Sequence, residues 1–406
     1  MTSILRREMT ARLLSASRKM PVIVISGLRQ TGKSTLLRDD PEMSKFGEYT
    51  TLDDFAALAA ARANPDEFIT KANVIDEVQR CPELLISIKR NVDARRQAGK
   101  YILSGSANLT LLNHVAESLA GRASYFTLFP MTRREINAET GKPPFLIEFM
   151  QSGDLPSGRA KVLTSQDILL GGLPPVCLTP DDDPFEWFRG YVQTYVERDI
   201  RQISQITDLV GFRTFVNLAA ARTGQVLVIS NIARDAKLSA ATAGRYLQLL
   251  ETTFLIQKLP PFLKNRSSRL IKSPKLYFID SGLATHLCGI REFDPRRDEP
   301  LRGALVETYM AQNLSAILEA HAPNAQLSYW NEQGRHEVDF IIENGKRVFA
   351  IEVKSAERWN DSDLSSLRAF VDRTPACEAA ILAYNGKEAV KLDGKLYAIP
   401  MGWLIS

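Results

Sequence analysis

Short apolar runs alternate with stretches of helical periodicity along the first third of the chain. The runs are rich in β-branched residues, which is typical of buried strands. Helices between successive strands place those strands parallel in one sheet, so the pattern predicts an α/β domain over residues 1–165. The predicted strands are Pro21–Ser26, Asn73–Asp76, Tyr101–Ser104 and Ser124–Phe129.

The pattern changes near the glycine- and proline-rich stretch Gly171–Pro175, where we expect a domain boundary. Residues 166–290 are mostly helical by periodicity. Within them Ser230–Phe254 is typical of a helix–turn–helix with one apolar stripe, and a strand-like run over Lys275–Asp280 follows. We therefore expect a helical middle domain.

The last part of the chain, residues 291–406, alternates helix and strand again. It predicts a long helix over Leu301–Glu319, then a hairpin, a helix over Ser362–Val371 and terminal strands. The predicted fold class is therefore α/β, with an N-terminal parallel sheet, a helical winged-helix middle and a C-terminal α/β domain.

Composition narrows the class of protein without naming a partner. The chain has 406 residues, and its net charge of +4 is too small to argue for nucleic acid. Its four cysteines lie far apart without a C-x-x-C spacing, which excludes the common zinc sites and a disulfide framework. We find no secretory h-region and no apolar run near the roughly 18 residues of a membrane helix. We expect a cytoplasmic protein that does not enter a membrane.

The segment Gly27–Ser34 has the pattern G-x-x-x-x-G-K-[ST], directly after an apolar strand and at the start of a helix. Glycines let backbone N–H groups curl around phosphate oxygens, and the lysine reaches the outer phosphates. The strand–loop–helix context is what this motif requires. We predict an ATP site formed by Gly27, Gln30, Thr31, Gly32, Lys33, Ser34 and Thr35.

Two acids end the next predicted strand, in the arrangement called Walker B. Asp76 would hold Mg²⁺ together with the Ser34 hydroxyl, and Glu77 would polarise the attacking water. An acid directly after the Walker B aspartate indicates hydrolysis in addition to binding. The following strand ends in polar residues that could contact the γ-phosphate, and the sequence leaves the choice open among Ser104, Ser106 and Asn108.

These motifs, with Ile75–Gln79 and Glu117–Arg122, resemble the AAA+ ATPases, and in particular a prokaryotic branch with a C-terminal domain of uncharacterised function. The resemblance implies a homo-oligomeric ring, with a hexamer as one candidate size. It also implies that Arg122, just before the strand Ser124–Phe129, reaches the ATP of a neighbouring subunit. A surface arginine without that role is the alternative.

The interval Lys258–Lys275 contains six basic residues and no acid. As the wing of a winged helix it would suit phosphate contacts, which carry affinity but no sequence information. A solvated face or a protein-binding platform is the alternative. The predicted nucleic-acid contacts are Lys264, Arg266, Arg269 and Lys272.

The C-terminal hairpin carries the second candidate site. A two-residue loop at Asn344-Gly345 would pair Glu343 with Lys346 and set Asp339 opposite Ala350. Period-2 alternation then places four residues on one face of the hairpin, with apolar residues on the other. The four are Asp339, Ala350, Glu352 and Lys354.

Asp339 and Glu352 would be diagonal neighbours able to share a second Mg²⁺, with Lys354 positioned to act on water. This face resembles the D…E-x-K signature of restriction-endonuclease-like nucleases, and Glu307 on the preceding helix matches an extra acid that many of them carry. The alternative is an exposed hairpin face with an ordinary ion pair. Whether such a site would cleave nucleic acid stays open.

Two functions from different classes follow. The first is an ATP-driven motor or switch that acts on branched or duplex DNA in repair, recombination or genome maintenance. The second is an ATP-dependent switch that remodels or senses a protein partner, with an inert nuclease-like domain as a docking surface.

Overall fold

A computed structural model describes residues 4–106, 119–179, 183–199, 206, 208–263, 272–294, 299–332 and 334–406. The chain divides into two compact units. The first comprises Met1–Pro130 with Thr252–Phe254, and the second comprises Met131–Glu251 with Leu255–Ser406. The boundaries predicted from the sequence at residues 165 and 290 stay predictions.

The first unit is built on a parallel sheet with strand order β2-β3-β4-β1-β5. The four predicted strands are confirmed, and β2 is an additional short edge strand that the sequence pattern did not predict. The four pairings between its neighbouring strands are all parallel. The strands are β1 Val22–Ser26, β2 Tyr49–Thr51, β3 Val74–Asp76, β4 Tyr101–Gly105 and β5 Ala123–Thr127.

Helices flank this sheet, and its strands β1 and β4 are buried on both faces. The core contains β1 and β4 residues together with Leu84, Leu85 and Ile88 from one of these helices. Parallel pairing places the C-terminal ends of β1, β3 and β4 at one edge of the sheet, which is where ligands bind in open α/β folds. The α-helices are Thr10–Ser17, Lys33–Asp39, Phe55–Ala63, Pro65–Lys71 and Leu84–Ala94, with 3₁₀ turns at Met43–Phe46 and Val78–Arg80.

The second unit begins with a helical part, which confirms the predicted helical character of the middle of the chain. The strands of a small antiparallel sheet, of order β6-β8-β7, alternate along the chain with the later helices of this part. The strands are β6 Gln225–Val226, β7 Ile256–Leu259 and β8 Lys275–Phe278. The α-helices are Arg133–Ile136, Phe145–Ser152, Ser165–Leu170, Pro174–Cys177, Pro184–Tyr191, Leu209–Ala220, Ile229–Asp235, Ala240–Thr252 and Ser281–Leu287, and Val192–Asp199 is a π-helix.

Beyond the small sheet the second unit contains a mixed sheet of order β13-β14-β12-β11-β10-β9. One face packs on the helix Ser365–Arg373 through Leu367 and Phe370. The strands are β9 Gln326–Glu332, β10 His336–Asn344, β11 Arg347–Lys354, β12 Cys377–Tyr384, β13 Val390–Asp393 and β14 Leu396–Pro400. The helices are Glu299–His321, Ser365–Arg373 and Met401–Leu404, with a 3₁₀ turn at Asp361–Leu364.

The register predicted for the β10–β11 hairpin is wrong by two residues. Asn344 is the last residue of β10 and pairs with Arg347, so the loop is Gly345-Lys346. Gly345 has a φ of 65° and Lys346 has no positive φ, which is the pattern of a type II′ turn with glycine first. A shift of two residues preserves the face of every side chain. Asp339 therefore still shares a face with Glu352, now as its direct neighbour across the strands.

Among the helices that the structure describes, none is both long and apolar enough to cross a lipid bilayer.

Candidate nucleotide site and acidic cluster

The loop between β1 and the helix Lys33–Asp39 has the conformation that phosphate binding requires. Gly32 has a φ of 90° and Gln30 a φ of 67°, so the backbone curls inside the loop. A Cβ on Gly27 would lie 2.3 Å from the carbonyl oxygen of Leu128, which only glycine avoids. The predicted loop residues are thus brought together at the C-terminal end of β1, with Thr35 exposed on the first turn of the helix.

Lys33 lies buried inside this loop. Its Nζ donates hydrogen bonds to the carbonyl oxygens of Gly27 at 3.0 Å and Leu28 at 2.8 Å. Burial lowers the pKa of Lys33 to about 8, although Glu77 and Asp76 oppose that shift. These acceptors are neutral, so the positive charge of Lys33 is the attraction that the site offers to a polyphosphate.

Asp76 is the centre of the polar network at the ends of the strands. Its Oδ2 accepts hydrogen bonds from the hydroxyls of Ser34 and Tyr49, both at 2.6 Å. Its Oδ1 accepts the Ser104 hydroxyl and the backbone N–H of Glu77, the latter at 3.0 Å. A serine hydroxyl beside a carboxylate is the donor set of a P-loop Mg²⁺ site, so these residues fit the ion that ATP brings.

The Tyr49 contact was missed by sequence reasoning. Tyr49 begins β2, a three-residue strand that pairs with β3, and its hydroxyl reaches the carboxylate at the end of that neighbour. Burial and the bond to Asp76 raise the pKa of Tyr49, so the hydroxyl stays a donor. The available signal was an aromatic residue with a polar tip in a β-branched run.

Glu77 belongs to a second small network. Its φ of 56° turns the chain sharply after β3. Oε2 of Glu77 accepts hydrogen bonds from the Gln79 amide and from the Ser106 hydroxyl, the latter at 3.1 Å. Of the three sensor candidates, Ser104 therefore contacts Asp76 and Ser106 contacts Glu77, while Asn108 lies outside the described residues.

Arg7 braces the phosphate loop from the N-terminal segment. Its guanidinium donates to the backbone carbonyls of Thr31 at 2.6 Å and Phe129 at 2.7 Å. The sequence pattern did not connect Arg7 with the loop. This buried arginine thus connects the centre of the phosphate loop to the segment after β5 and restricts the movement of both.

Arg122, the candidate finger, makes contacts within its own chain. Its guanidinium donates to both carboxylate oxygens of Asp93, with Nη2–Oδ2 at 2.8 Å, and to the carbonyl of Ala120, also at 2.8 Å. An exposed bidentate pair of this kind contributes little stability and can exchange for another anion. The trans-acting role stays a prediction.

The candidate residues of the second unit form a buried cluster around an unexpected centre, Lys275. Its Nζ contacts Glu307 at 2.6 Å, Glu337 at 2.7 Å and Asp339 at 2.9 Å. The Lys275 side chain is only 2% exposed. Sequence reasoning counted Lys275 among the basic residues of a wing suited to phosphate contacts. The signal against that interpretation was its place at the head of an otherwise apolar strand, because a buried lysine needs a partner.

The excess of acids in this cluster shifts the pKa values of its members. Burial alone would lower the pKa of Lys275, but Asp339 and Glu307 outweigh it and raise that pKa. Burial and Asp339 also raise the pKa of Glu307, to about 8, and raise the pKa of Glu352. One ammonium cannot balance four carboxylates, and the raised pKa values of Glu307 and Glu352 favour the protonated forms of these two acids.

The predicted metal residues are therefore close together, but not arranged as metal ligands. Within the described ranges, no group of three His, Cys, Asp or Glu side chains is spaced to hold an ion. Oδ2 of Asp339 accepts the backbone N–H of Val353 at 2.9 Å, and Lys354 pairs with Asp363 at 3.2 Å. Lys275 and Val353 thus occupy both carboxylate oxygens of Asp339, and Lys275 occupies Oε1 of Glu307.

The basic wing is only partly described. Lys264, Arg266 and Arg269 lie outside the described residues, and Lys272 is exposed. Lys258 pairs with Glu251 at 2.5 Å. The predicted nucleic-acid contact stays a prediction that rests on the wing itself.

Three family models match consecutive parts of the chain. Residues 19–137 match an AAA domain, residues 163–294 match a domain of unknown function (DUF8612), and residues 302–404 match another domain of unknown function (DUF4143). The first match covers the phosphate loop, the Walker B acids and the sensor strand. Each of these three models covers one part of the chain.

Among curated proteins, the chain resembles uncharacterized proteins of Mycobacterium bovis and Mycobacterium tuberculosis. Each is 29% identical over 407 residues, which cover 99% of this chain and 85% of the relative. An uncharacterized protein of Haemophilus influenzae is 23% identical over 286 residues, covering 66% of this chain and 69% of the relative.

Two solved structures align at low similarity. AMPPCP-bound DnaA from Aquifex aeolicus aligns with a TM-score of 0.29 and 14% identity, covering 60% of this chain and 85% of that one. A protein from Vibrio cholerae aligns with a TM-score of 0.18 and 13% identity, covering 89% and 88%. The AAA match and the geometry of the loop, Asp76 and Glu77 together support a P-loop ATPase.

Proposed function

We propose that this protein hydrolyses ATP at the C-terminal end of β1, β3 and β4 and uses the reaction as a switch. The observation that carries the proposal is the network around Asp76, in which the Ser34, Tyr49 and Ser104 hydroxyls converge on one carboxylate. Such convergence fixes the carboxylate where an ion bound to the loop would lie.

Each residue of the site has a distinct role in this proposal. Backbone N–H groups of the loop bind the phosphates, and Lys33 leaves its two carbonyl acceptors to contact the outer phosphates. Ser34 and Asp76 would hold Mg²⁺, which would neutralise part of the phosphate charge. Glu77 orients the attacking water and accepts its proton, with Ser106 and Gln79 holding the carboxylate in place.

Phosphate release measured at saturating Mg²⁺–ATP tests this assignment. Glu77→Gln should bind ATP with unchanged affinity and lose turnover by about 10²–10³-fold, because the amide cannot accept a proton. Glu83→Gln changes an exposed acid six residues further along and should leave turnover intact. Full turnover in Glu77→Gln would remove Glu77 from the reaction.

We propose two alternative targets for the ATP-driven switch. DNA is the first, supported by the acid-free sequence Lys258–Lys275. ATP turnover measured with duplex, single-stranded and four-way-junction DNA at two salt concentrations tests it. Turnover and binding that are indifferent to all three DNA forms and to salt would exclude DNA as the object.

A protein partner is the second target, and one observation favours it. Lys275 and Lys258 contact acidic side chains, so both are withdrawn from the set available for phosphates. The C-terminal acidic face is likewise engaged by an internal cation. In this case the domain is a docking surface, and Mg²⁺-dependent nicking that disappears in Glu352→Ala while ATP turnover persists would exclude it.

A further inference from the structure

Lys275 has all of its hydrogen-bonding capacity directed at carboxylates. An ammonium group has three N–H donors, and the Lys275 Nζ has three carboxylate oxygens within 2.9 Å, from Glu307, Glu337 and Asp339. These acids come from the long helix Glu299–His321 and from β10, whereas Lys275 starts β8. The lysine thus ties the small sheet of the second unit to its mixed sheet.

The distances suit an ammonium and not a small divalent cation. The three oxygens lie 2.6–2.9 Å from Nζ, while Mg²⁺ requires oxygens at about 2.0–2.1 Å in a near-octahedral arrangement. Two of these acids also make a further contact each. Oδ2 of Asp339 accepts the Val353 N–H, and Oε1 of Glu307 also accepts the Tyr277 hydroxyl.

Glu352 has a carboxyl oxygen that the cluster does not satisfy. Its Oε2 is buried and has no hydrogen-bond partner. The cluster contains one positive charge for four acids, and a divalent cation in place of the ammonium would supply two. The acidic side chains are therefore those of a cation site, and the cation present is a lysine of the same chain.

We propose that Lys275 is the resident cation of the face formed by Glu307, Asp339 and Glu352, and that it excludes divalent metals from this face in the folded chain. The face becomes a divalent-cation site only when the ammonium is removed. This inference concerns the second unit and does not depend on ATP hydrolysis in the first.

The test is Mn²⁺ binding to the full-length chain without nucleotide, followed by electron paramagnetic resonance. Lys275→Met should gain one Mn²⁺ site per chain, at least about tenfold tighter than any in the wild type. Adding Glu352→Gln to Lys275→Met should abolish that site. Lys272→Met, the same change at an exposed lysine three residues earlier, should behave as the wild type does, and Lys275→Arg should gain no site because the charge is retained.

Two outcomes would overturn the proposal. One is wild-type protein that binds Mn²⁺ as tightly as Lys275→Met and loses it in Glu352→Gln, because Lys275 would then exclude nothing. The other is folded Lys275→Met that gains no site. ATP turnover is measured in parallel. Wild-type protein that shows no ATP turnover would count against the ATPase assignment and leave the inference about Lys275 untouched.

A folding defect in Lys275→Met also gives a decisive result. The replacement of an ammonium by a divalent cation predicts that Mn²⁺ restores folding of Lys275→Met and of Lys275→Gln, measured as the thermal midpoint with and without the ion. Failure of Mn²⁺ to raise the midpoint of either variant would overturn the proposal as well.

Discussion

Two buried lysines of this chain have opposite surroundings. Lys33 donates to the carbonyl oxygens of Gly27 and Leu28, which have no net charge. Lys275 contacts the carboxylates of Glu307 and Asp339. Burial lowers the pKa of Lys33 to about 8, whereas the surrounding acids raise the pKa of Lys275.

The same difference extends to the tyrosines. The Tyr49 hydroxyl bonds to Asp76, an acid that lies near Lys33 without forming an ion pair with it among the described contacts. The Tyr277 hydroxyl bonds to Glu307, an acid that does hold Lys275. A lysine kept apart from the acids leaves both available to an ionic ligand, and a lysine bonded to the acids occupies that position itself. Similar residue types thus produce one open site and one closed cluster.

Lys275→Met should produce the largest effect, because it leaves several buried carboxylates without their cation. Breaking a buried ion pair by removing one partner costs about 3–5 kcal/mol. We expect a loss of this size in the free energy of unfolding, measured by urea denaturation without added metal. Lys272→Met should change it by less than about 0.5 kcal/mol. A loss that small in Lys275→Met would place this lysine outside the stabilising core of the unit.

Lys33→Met should leave the free energy of unfolding nearly unchanged and abolish turnover instead. The lost contacts are to neutral carbonyls, while the charge that stabilises the outer phosphates disappears, at a cost of about 10²–10³ in rate. Phosphate release measures the rate, and urea denaturation measures stability. Lys45→Met, at an exposed lysine paired with Glu42, is the matched control. A large stability loss in Lys33→Met would erase the contrast with Lys275.

The sequence predicted the open site better than the closed one, for a physical reason. The phosphate loop is a local motif whose strand, glycines and helix are adjacent in the chain. Asp76 and Glu77 are also recognisable locally, because they come at the end of an apolar strand. Lys275 meets its partners across 32 and 64 residues, so no local pattern announces them. The acid-free interval around it in the sequence instead suggested a wing that contacts phosphates.

The hairpin illustrates an intermediate case. Period-2 alternation correctly placed Asp339 and Glu352 on one face, since a register error of two residues leaves faces unchanged. The loop itself was displaced because Asn344-Gly345 favours a type I′ turn, whereas the chain places Gly345 first and Lys346 second. The register between two strands is therefore harder to predict from sequence than the face of the sheet on which each side chain lies.

The cluster should also give the second unit a pH dependence. Glu307 has a pKa of about 8 in the folded chain and an ordinary value of 4.5. Between these values the folded chain holds a proton that the unfolded chain lacks, so the free energy of unfolding should fall as pH rises from about 5 to 8. From about pH 5 to pH 8, the free energy of unfolding of the wild type should fall on the order of 1–3 kcal/mol more than that of Glu307→Gln.

Urea denaturation at several pH values measures this difference. Glu307→Gln stays neutral and can still accept from Lys275, so its slope should be flatter than that of the wild type. Glu357→Gln, at an exposed acid of the same unit, should retain the wild-type slope. If the free energy of unfolding had the same pH slope in all three proteins, Glu307 would be ionised in the folded chain throughout this pH interval.

Tyr49→Phe should produce the smallest effect and tests the open site most directly. Its hydroxyl shares Oδ2 of Asp76 with Ser34, so its loss frees the carboxylate to rotate. We expect the Mg²⁺ concentration for half-maximal turnover to rise about 3–10-fold, equivalent to one hydrogen bond, with the rate at saturating Mg²⁺ unchanged. Tyr101→Phe removes a hydroxyl that contacts Asn91 and Ile69 in the same unit, and should leave the Mg²⁺ requirement unaltered. A lower Mg²⁺ requirement in Tyr49→Phe would instead mean that the hydroxyl competes with the ion for Asp76, which would make the ATP site resemble the cluster around Lys275.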